Sequence, residues 1–150
     1  MNNENKILIK DQIKDIDFDF VYKFLSHESS WQEGIGSSNL RKALENSLCI
    51  SAYYNNEQVG FVRVITDYAT FAWFDDLFVD KHYRGNGIAR KLMMAATNHT
   101  SIKSVRSQFL SSSDAAARAI FSSIGFDKLD QTRLNKLMAL PKNSSDSFFD

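Results

Sequence analysis

The chain has 150 residues, of which 43% are hydrophobic, and its 18 basic residues balance its 18 acidic ones. This length and apolar content favour one domain with a sizeable core. The zero formal net charge argues against a duplex nucleic-acid binder, which usually carries a basic excess or a basic stripe. The single cysteine, Cys49, cannot form an internal disulfide, and we interpret it as a small buried hydrophobe.

The sequence also argues against a targeting segment, a membrane span and a metal site. Its first residues lack a charged-then-apolar signal pattern, and no apolar run approaches the roughly 20 residues that cross a bilayer. The three histidines, His27, His82 and His99, are scattered and give no metal-ligand spacing. We therefore expect a cytoplasmic protein that binds no metal, membrane or nucleic acid.

The first half of the chain predicts a strand, two helices and three consecutive strands. Residues 5–10 alternate polar and apolar residues as in a strand, and residues 18–28 carry apolar side chains at helical spacing. Serine and asparagine caps predict a second helix over residues 37–47. Three strand patterns follow, the first two joined by Asn-Asn-Glu as in a hairpin, at residues 47–54, 58–66 and 70–79.

The second half of the chain alternates helical and strand patterns. These patterns predict an amphipathic helix, a strand, an alanine-rich helix and a last strand, over residues 87–99, 104–110, 112–126 and 132–140. The resulting order is β-α-α-β-β-β-α-β-α-β, an α/β fold with a mixed sheet and helices on its faces. We expect a single domain over residues 1–140 and a polar, flexible tail over residues 141–150.

Two glycines stand between an apolar strand and a helix, in the stretch Arg84-Gly85-Asn86-Gly87-Ile88-Ala89. A Walker loop would need Lys and then Ser or Thr after Gly87, and a dinucleotide fingerprint would need a third glycine at Arg90. The pattern that fits is Arg/Gln-x-x-Gly-x-Gly/Ala, whose backbone N–H groups can close around a pyrophosphate at a helix start. Arg84 can add a charge-assisted bond. The alternative is a turn in which glycine only relieves strain.

From Gly60 to Ala89, the sequence GFVRVITDYATFAWFDDLFVDKHYRGNGIA resembles the GNAT superfamily of acetyl-CoA-dependent N-acetyltransferases, in its small single-domain bacterial branch. The likeness extends through SSWQEG and NSLCI upstream and through SSSDAAARAIFSSIGF downstream. It implies a mostly antiparallel sheet of about six or seven strands. It also implies direct transfer of an acetyl group from acetyl-CoA to a primary amine of a small molecule, a peptide or a protein.

The resemblance implies a V-shaped cleft where the strand that ends at Val79 splays from the strand at 104–110. Pantetheine would lie there against the backbone of Phe78 and Val79, with the pyrophosphate on residues 84–89. A backbone N–H near Phe78 or Val79 would hold the oxyanion. Asp114 matches a position that supports the coenzyme arm in relatives, and it is equally a candidate helix N-cap.

Two carboxylates, Asp75 and Asp76, interrupt the buried strand 70–79. A buried carboxylate is costly unless it has a partner, so one that is tolerated usually has a bonding partner or a function. Asp76 matches the aspartate of the family and is our candidate for the base or the ammonium site, with Asp75 as the weaker candidate. The alternative for Asp76 is a structural carboxylate bonded to the backbone or to an arginine such as Arg63. Strict alternation places Phe71, Trp73, Leu77 and Val79 on one face of the strand and Ala72, Phe74 and Phe78 on the other.

The position of Phe121 holds a tyrosine in many relatives, where its hydroxyl can meet the coenzyme sulfur. Phe121 has no proton to give, so the thiolate leaves unassisted, or water or a nearby Ser112 or Ser113 assists it. Otherwise the protein is slow or non-catalytic, and it serves as an acyl-CoA-binding sensor. Trp31 and Phe71 are candidate acceptor contacts, with core packing as the alternative for Trp31. A homodimer, which the tail SFFD could serve, stays open.

Overall fold

The computed structural model describes residues 6–140. The chain divides into two compact units, residues 1–110 and 111–150. The expected tail, residues 141–150, lies outside the described residues, and the expected extent of the domain stays a prediction. Among residues 6–140, no helix combines the length and the apolar content that crossing a membrane requires.

The first unit contains a five-stranded sheet whose strands follow one another in chain order. Its strands are β1 (Leu8–Lys10), β2 (Leu48–Tyr54), β3 (Glu57–Thr66), β4 (Phe71–Val79) and β5 (Ser107–Leu110). Strands β1 to β4 pair antiparallel, and β5 runs parallel to β4. The predicted mixed, mostly antiparallel sheet is confirmed, with five strands in the described residues instead of six or seven.

Three α-helices and three shorter helical turns complete the first unit. The helices are α1 (Phe18–Lys23), α2 (Ser37–Glu45) and α3 (Ile88–Thr97). A π-helical turn, Phe24–Glu28, continues α1, and 3-10 turns occupy Ile13–Asp15 and Lys81–Tyr83. The start of α1 is fixed by Asp17, whose side chain accepts the N–H of Phe20 at 3.1 Å.

The hairpin between β2 and β3 has the tight connection that its sequence predicts. Tyr54 pairs with Glu57, and the two residues between them, Asn55 and Asn56, have φ angles of 48° and 65°. Asparagine tolerates this left-handed region better than most residues, and two such residues in series match the right-handed twist of the strands. The two asparagines therefore set the register of the hairpin.

Helices cover both faces of the sheet. One face carries a core cluster shared with α1, α2 and the turn after α1: Val21, Leu25, Leu40, Leu44, Cys49, Phe61 and Phe78. Gly60, the neighbour of Phe61, faces the opposite way, where a Cβ atom would lie 3.0 Å from Cδ1 of Leu92 in α3. Helix α3 therefore packs close against β3 on the second face, and glycine at position 60 permits this approach.

A β-bulge shifts the faces of β4 at Asp76. Phe61 pairs with Phe78 and Arg63 pairs with Asp75, so an advance of two residues on β3 corresponds to an advance of three residues on β4. Paired residues share a face, and therefore Asp75 and Phe78 lie on the same face although they are three positions apart. Asp76, inside the bulge, has a φ of 53°. The strict alternation predicted for this strand is wrong past the bulge, since Leu77 and Val79 share the face of Ala72 and Phe74.

Up to residue 140, the second unit contains two helices, α4 (Ala115–Ser123) and α5 (Gln131–Leu134). Asp114 caps α4 by accepting the N–H of Ala117 at 2.9 Å, and Asp130 caps α5 in the same way through Arg133. The strand predicted over residues 132–140 is wrong, because α5 occupies its beginning and no strand follows up to residue 140. Its apolar residues Leu134, Leu137 and Met138 have the three- and four-residue spacing of a helix instead of the two-residue spacing of a strand.

Candidate active site

Strands β4 and β5 pair over only part of their length. The parallel pairing joins Phe71–Phe74 to Ser107–Leu110, and no described strand pairs with β4 on that edge from Asp75 to Val79. A strand edge without a neighbour presents backbone N–H and C=O groups that need partners. An extended ligand can supply them as an added strand would, so this edge of β4 is a candidate ligand site.

The loop after β4 ends at the start of α3 without a side-chain cap. Gly87 is the N-cap residue, with a φ of 73°, and Gly85 has a φ of 78°. Because glycine has no side chain to accept a hydrogen bond, the first-turn N–H groups of α3 have no capping acceptor from that residue. A Cβ atom at Gly87 would meet nothing within 4 Å, so the positive φ, and not internal crowding, requires glycine there. An uncapped helix start of this kind suits a phosphate.

Arg84 and Asn86 hold this loop in place. The amide of Asn86 donates to the backbone oxygens of Tyr83 at 3.0 Å and Arg84 at 3.2 Å. The Arg84 Nε atom donates to the Val79 oxygen at 3.0 Å. The Val79 carbonyl oxygen is therefore already bonded to this loop. A guanidinium has five N–H donors, so Arg84 keeps others that can meet a phosphate.

Asp76 is buried and uses both of its carboxylate oxygens. Its Oδ2 atom accepts from Nε of Arg63 at 2.7 Å, and its Oδ1 atom accepts from the Trp31 indole at 2.9 Å and from Gln32 at 3.5 Å. Arg63, which is also buried, donates in addition to Ser47 at 3.3 Å. These are the contacts of a carboxylate that ties β3, β4 and residues 29–34 together.

Asp75, next to it, is half-buried and less fully bonded. Its Oδ2 atom lies 3.5 Å from Nη2 of Arg63, and its Oδ1 atom accepts the N–H of Asp76 at 2.8 Å. Loss of water around the carboxylate, together with the nearby charge of Asp76, raises the pKa of Asp75 above its ordinary value. A carboxylate with a raised pKa at the edge of a ligand site suits a general base. Asp76 thus uses both oxygens in contacts with buried or neighbouring side chains, whereas Asp75 is less fully bonded. Which of the two handles a proton stays a prediction.

The acceptor-side candidates, Trp31 and Phe71, are both partly exposed. Trp31 is 49% exposed, and its ring lies 6.1 Å from that of Phe24 while its indole N–H is bonded to Asp76. Core packing alone, the alternative considered for Trp31, does not describe this environment. Phe71 is 41% exposed and belongs to the same strand as Asp75.

Arg63 is the residue of this site that the sequence identified only as a structural partner. It lies in β3, a ten-residue strand that is otherwise mostly apolar and is buried over most of its length. A buried arginine needs an acidic partner, so an arginine in an apolar strand predicts an ion pair with a nearby carboxylate. The hydrogen bond from Gln32 to Asp76 could not be predicted from the sequence, because the two residues are 44 positions apart.

The site candidates in the second unit have local contacts of their own. Asp114 caps α4, as one of its two predicted roles requires. Phe121 is buried and meets the ring of Phe126 edge-on, with centroids 6.4 Å apart. Roles of Asp114 and Phe121 toward a coenzyme stay predictions.

Cysteine and metal-ligating residues do not extend the site. Cys49 is a free, buried thiol, as predicted, and its burial raises its pKa to about 12. A thiol with so high a pKa is not a nucleophile at neutral pH. Within residues 6–140, His, Cys, Asp and Glu side chains form no group of three that could hold a metal ion.

Comparison with known proteins identifies this arrangement. The profile of the family described as "Acetyltransferase (GNAT) domain" matches residues 12–139. A solved structure from Xanthomonas campestris pv. campestris, described as belonging to the GNAT family, superposes with a TM-score of 0.84 at 27% identity, covering 95% of this chain and 98% of that chain.

Two further structures share the fold at lower identity. A GNAT-family acetyltransferase from Streptococcus pneumoniae TIGR4 has a TM-score of 0.72 and 23% identity, covering 93% of this chain and 99% of that chain. The ribosomal-protein-S18-alanine N-acetyltransferase of Escherichia coli has a TM-score of 0.67 and 20% identity, covering 83% and 80%. No curated protein matches in sequence. The chain thus belongs to the GNAT family of acetyltransferases and is an acyltransferase.

Proposed function

We propose that this acyltransferase moves an acetyl group from acetyl-CoA directly to a primary amine, with both substrates bound at once. The observation that carries the proposal is the edge of β4 beyond Phe74, which has no strand neighbour within residues 6–140 and leads to the uncapped start of α3. An extended arm that ends in a pyrophosphate has the two features that this edge and this loop would bind. Acetyl-CoA supplies an activated thioester.

The loop and the strand edge have separate tasks in this proposal. N–H groups from Gly85 to Ala89 bind the pyrophosphate, and the remaining donors of Arg84 add a charge-assisted bond. The backbone of Phe78 and Val79 binds the pantetheine arm, and an N–H on the same edge stabilises the negative charge that develops on the thioester oxygen. The bulge at Asp76 supports this task, because it takes the backbone of β4 out of regular pairing at the point where the strands part.

Proton transfer falls to Asp75. The ammonium form of the acceptor first loses a proton to the Asp75 carboxylate, which frees the nitrogen lone pair. The nitrogen then forms its bond to the acetyl carbon, the carbon–sulfur bond breaks, and the second proton passes from the nitrogen to water. Its raised pKa makes Asp75 a better proton acceptor than an ordinary aspartate. Asp76, through Arg63, fixes the position of Asp75 and is a positioning residue. The departing thiolate takes its proton from water.

The second candidate is an acyl-CoA-binding sensor without turnover, which the missing hydroxyl at Phe121 favours. Thermal shift with acetyl-CoA, combined with a thiol-release assay across a panel of primary amines, separates the two functions. We expect a raised melting temperature with acetyl-CoA and thiol release that depends on the amine. Stabilisation without release beyond slow hydrolysis would establish the sensor instead. Absence of any stabilisation would refute the coenzyme site itself.

A further inference from the structure

A row of aromatic side chains extends from Asp75 toward the start of β4. Phe71, Trp73 and Asp75 share one face of the strand at two-residue intervals, which places them roughly 7 Å apart. Phe109 of β5 pairs directly with Trp73 and so belongs to the same face. We call Phe71, Trp73 and Phe109 the aromatic row.

The rings of the aromatic row are stacked and partly accessible. The Phe71 ring lies 6.5 Å from the ring of Trp73 and 5.8 Å from the ring of Phe109, with interplanar angles of 15° and 29°. Phe71 is 41% exposed, and Ile65, which pairs with Trp73 from β3, is 37% exposed. Accessible apolar surface that continues into a site with polar groups is a common feature of ligand sites.

The charges at the end of the row are unequal. Arg63 is the cation in contact with both Asp75 and Asp76, so the bonded cluster holds two carboxylates and one guanidinium. Trp31, Gln32 and Ser47, its other bonded members, are uncharged. The raised pKa of Asp75 agrees with a second negative charge that lacks full compensation. A cationic group that arrives beside Asp75 would complete the balance.

From this juxtaposition we propose that the acceptor is a small primary amine with an aromatic ring a short alkyl chain away from the nitrogen. The inference rests on the proposed acetyl transfer. The amine lies at Asp75, and its ring packs on Trp73 and Phe71, since the nitrogen, a two-carbon spacer and the ring together extend about 7 Å, the interval between alternate positions on one face of a strand. Stacked rings and buried apolar area then supply affinity that a small polar amine does not obtain.

Steady-state thiol release with acetyl-CoA tests this proposal, with 2-phenylethylamine and ethanolamine as the two acceptors. They share the aminoethyl group and differ in a phenyl ring against a hydroxyl. We expect kcat/KM for 2-phenylethylamine to exceed that for ethanolamine at least tenfold, which corresponds to about 1.4 kcal/mol. In Phe71→Ala this ratio should fall toward one. Phe71→Leu, which keeps an apolar side chain, should give an intermediate ratio and covers the case in which the alanine variant does not fold.

Met94 provides the matched control. It is exposed to the same 41% as Phe71 but lies on α3, so Met94→Ala should leave the ratio unchanged. Release with both amines at similar rates in the wild-type chain would overturn the aromatic class while acetyl transfer to amines stands. A preference that Phe71→Ala and Phe71→Leu leave intact would overturn the role of the row. If no primary amine supports thiol release, the proposed function is refuted, and this inference with it.

Discussion

Replacing Asp76 with asparagine separates its structural role from a catalytic one. The amide keeps the size of the side chain but offers a single acceptor oxygen, whereas Arg63 and Trp31 now donate to different oxygens. Either the guanidinium or the indole therefore faces an NH₂ group. Losing one partner of a buried ion pair costs about 3–5 kcal/mol, and Asp75, 3.5 Å from the same guanidinium, limits the loss to about 3 kcal/mol.

For a chain of this length, 1 kcal/mol shifts the melting temperature by roughly 2–4 °C, so Asp76→Asn should lower it by about 6–12 °C. Differential scanning fluorimetry at pH 7 measures this shift, and thiol release below the new melting temperature measures turnover. A lost turnover with an unchanged melting temperature would refute the reasoning, because it would make Asp76 the proton acceptor.

Asp75→Asn is the matched variant, and it should give the opposite pattern. Folding raises the pKa of this carboxyl, so its charged form destabilises the fold once the pH exceeds the ordinary value. Removing the charge should therefore give a melting temperature at pH 7 equal to or higher than that of the wild-type protein. Turnover should nevertheless fall by about 10²-fold or more, since the base is gone, while acetyl-CoA binding stays unchanged. A large loss of stability in Asp75→Asn would contradict this assignment.

Three other changes test the loop, the leaving group and a turn. Gly87→Val should weaken acetyl-CoA binding, measured by titration calorimetry, at least tenfold, or about 1.4 kcal/mol. The control Gly34→Val, at a glycine with a φ of 76° and equally open surroundings, should leave that affinity unchanged. A folded Gly87→Val protein with wild-type affinity would remove this loop from the site. Phe121→Tyr should speed turnover below pH ~8.5 if thiolate departure limits the rate, and unchanged pH–rate profiles would mean that it does not. The hydrogen bond from the Thr70 hydroxyl, followed by bonds from backbone N–H groups, lowers the pKa of Asp67. Its contribution to stability therefore exists above about pH 4 and is lost as the pH falls. The melting temperature of Asp67→Asn should therefore lie below wild type at pH 7, and the gap should narrow in acid; a constant gap would contradict this.

Elements that depend on a turn-forming residue at one position could be predicted from the sequence. The Asn-Asn turn fixed the hairpin of β2 and β3, and the glycine loop was placed correctly at the start of α3. Both features depend on backbone angles that only a few residue types adopt easily. Pattern reasoning is most reliable where a single residue has this kind of local consequence.

The bulge in β4 left no trace in the hydrophobic pattern. Both faces of this strand are largely apolar, so a one-residue shift at Asp76 moves apolar residues from one face to the other and leaves the hydrophobic pattern of each face unchanged. For the same reason the hydrophobic pattern could not rank Asp75 and Asp76, and the order given to them came from the family resemblance alone. Their difference comes from partners such as Trp31, which is 45 positions from Asp76 in the chain. Contacts at that separation are set by the fold and not by local spacing.

The burial of Cys49 has a practical consequence for all the assays described above. Reagents that detect released coenzyme react with thiolates, and the only cysteine of the chain is buried with a pKa of about 12. The folded protein should therefore give almost no background colour, and the signal should come from the product alone. Once the chain unfolds, the same cysteine becomes accessible and reacts. One colorimetric reagent can thus report turnover in the native protein and the fraction unfolded in a destabilised variant.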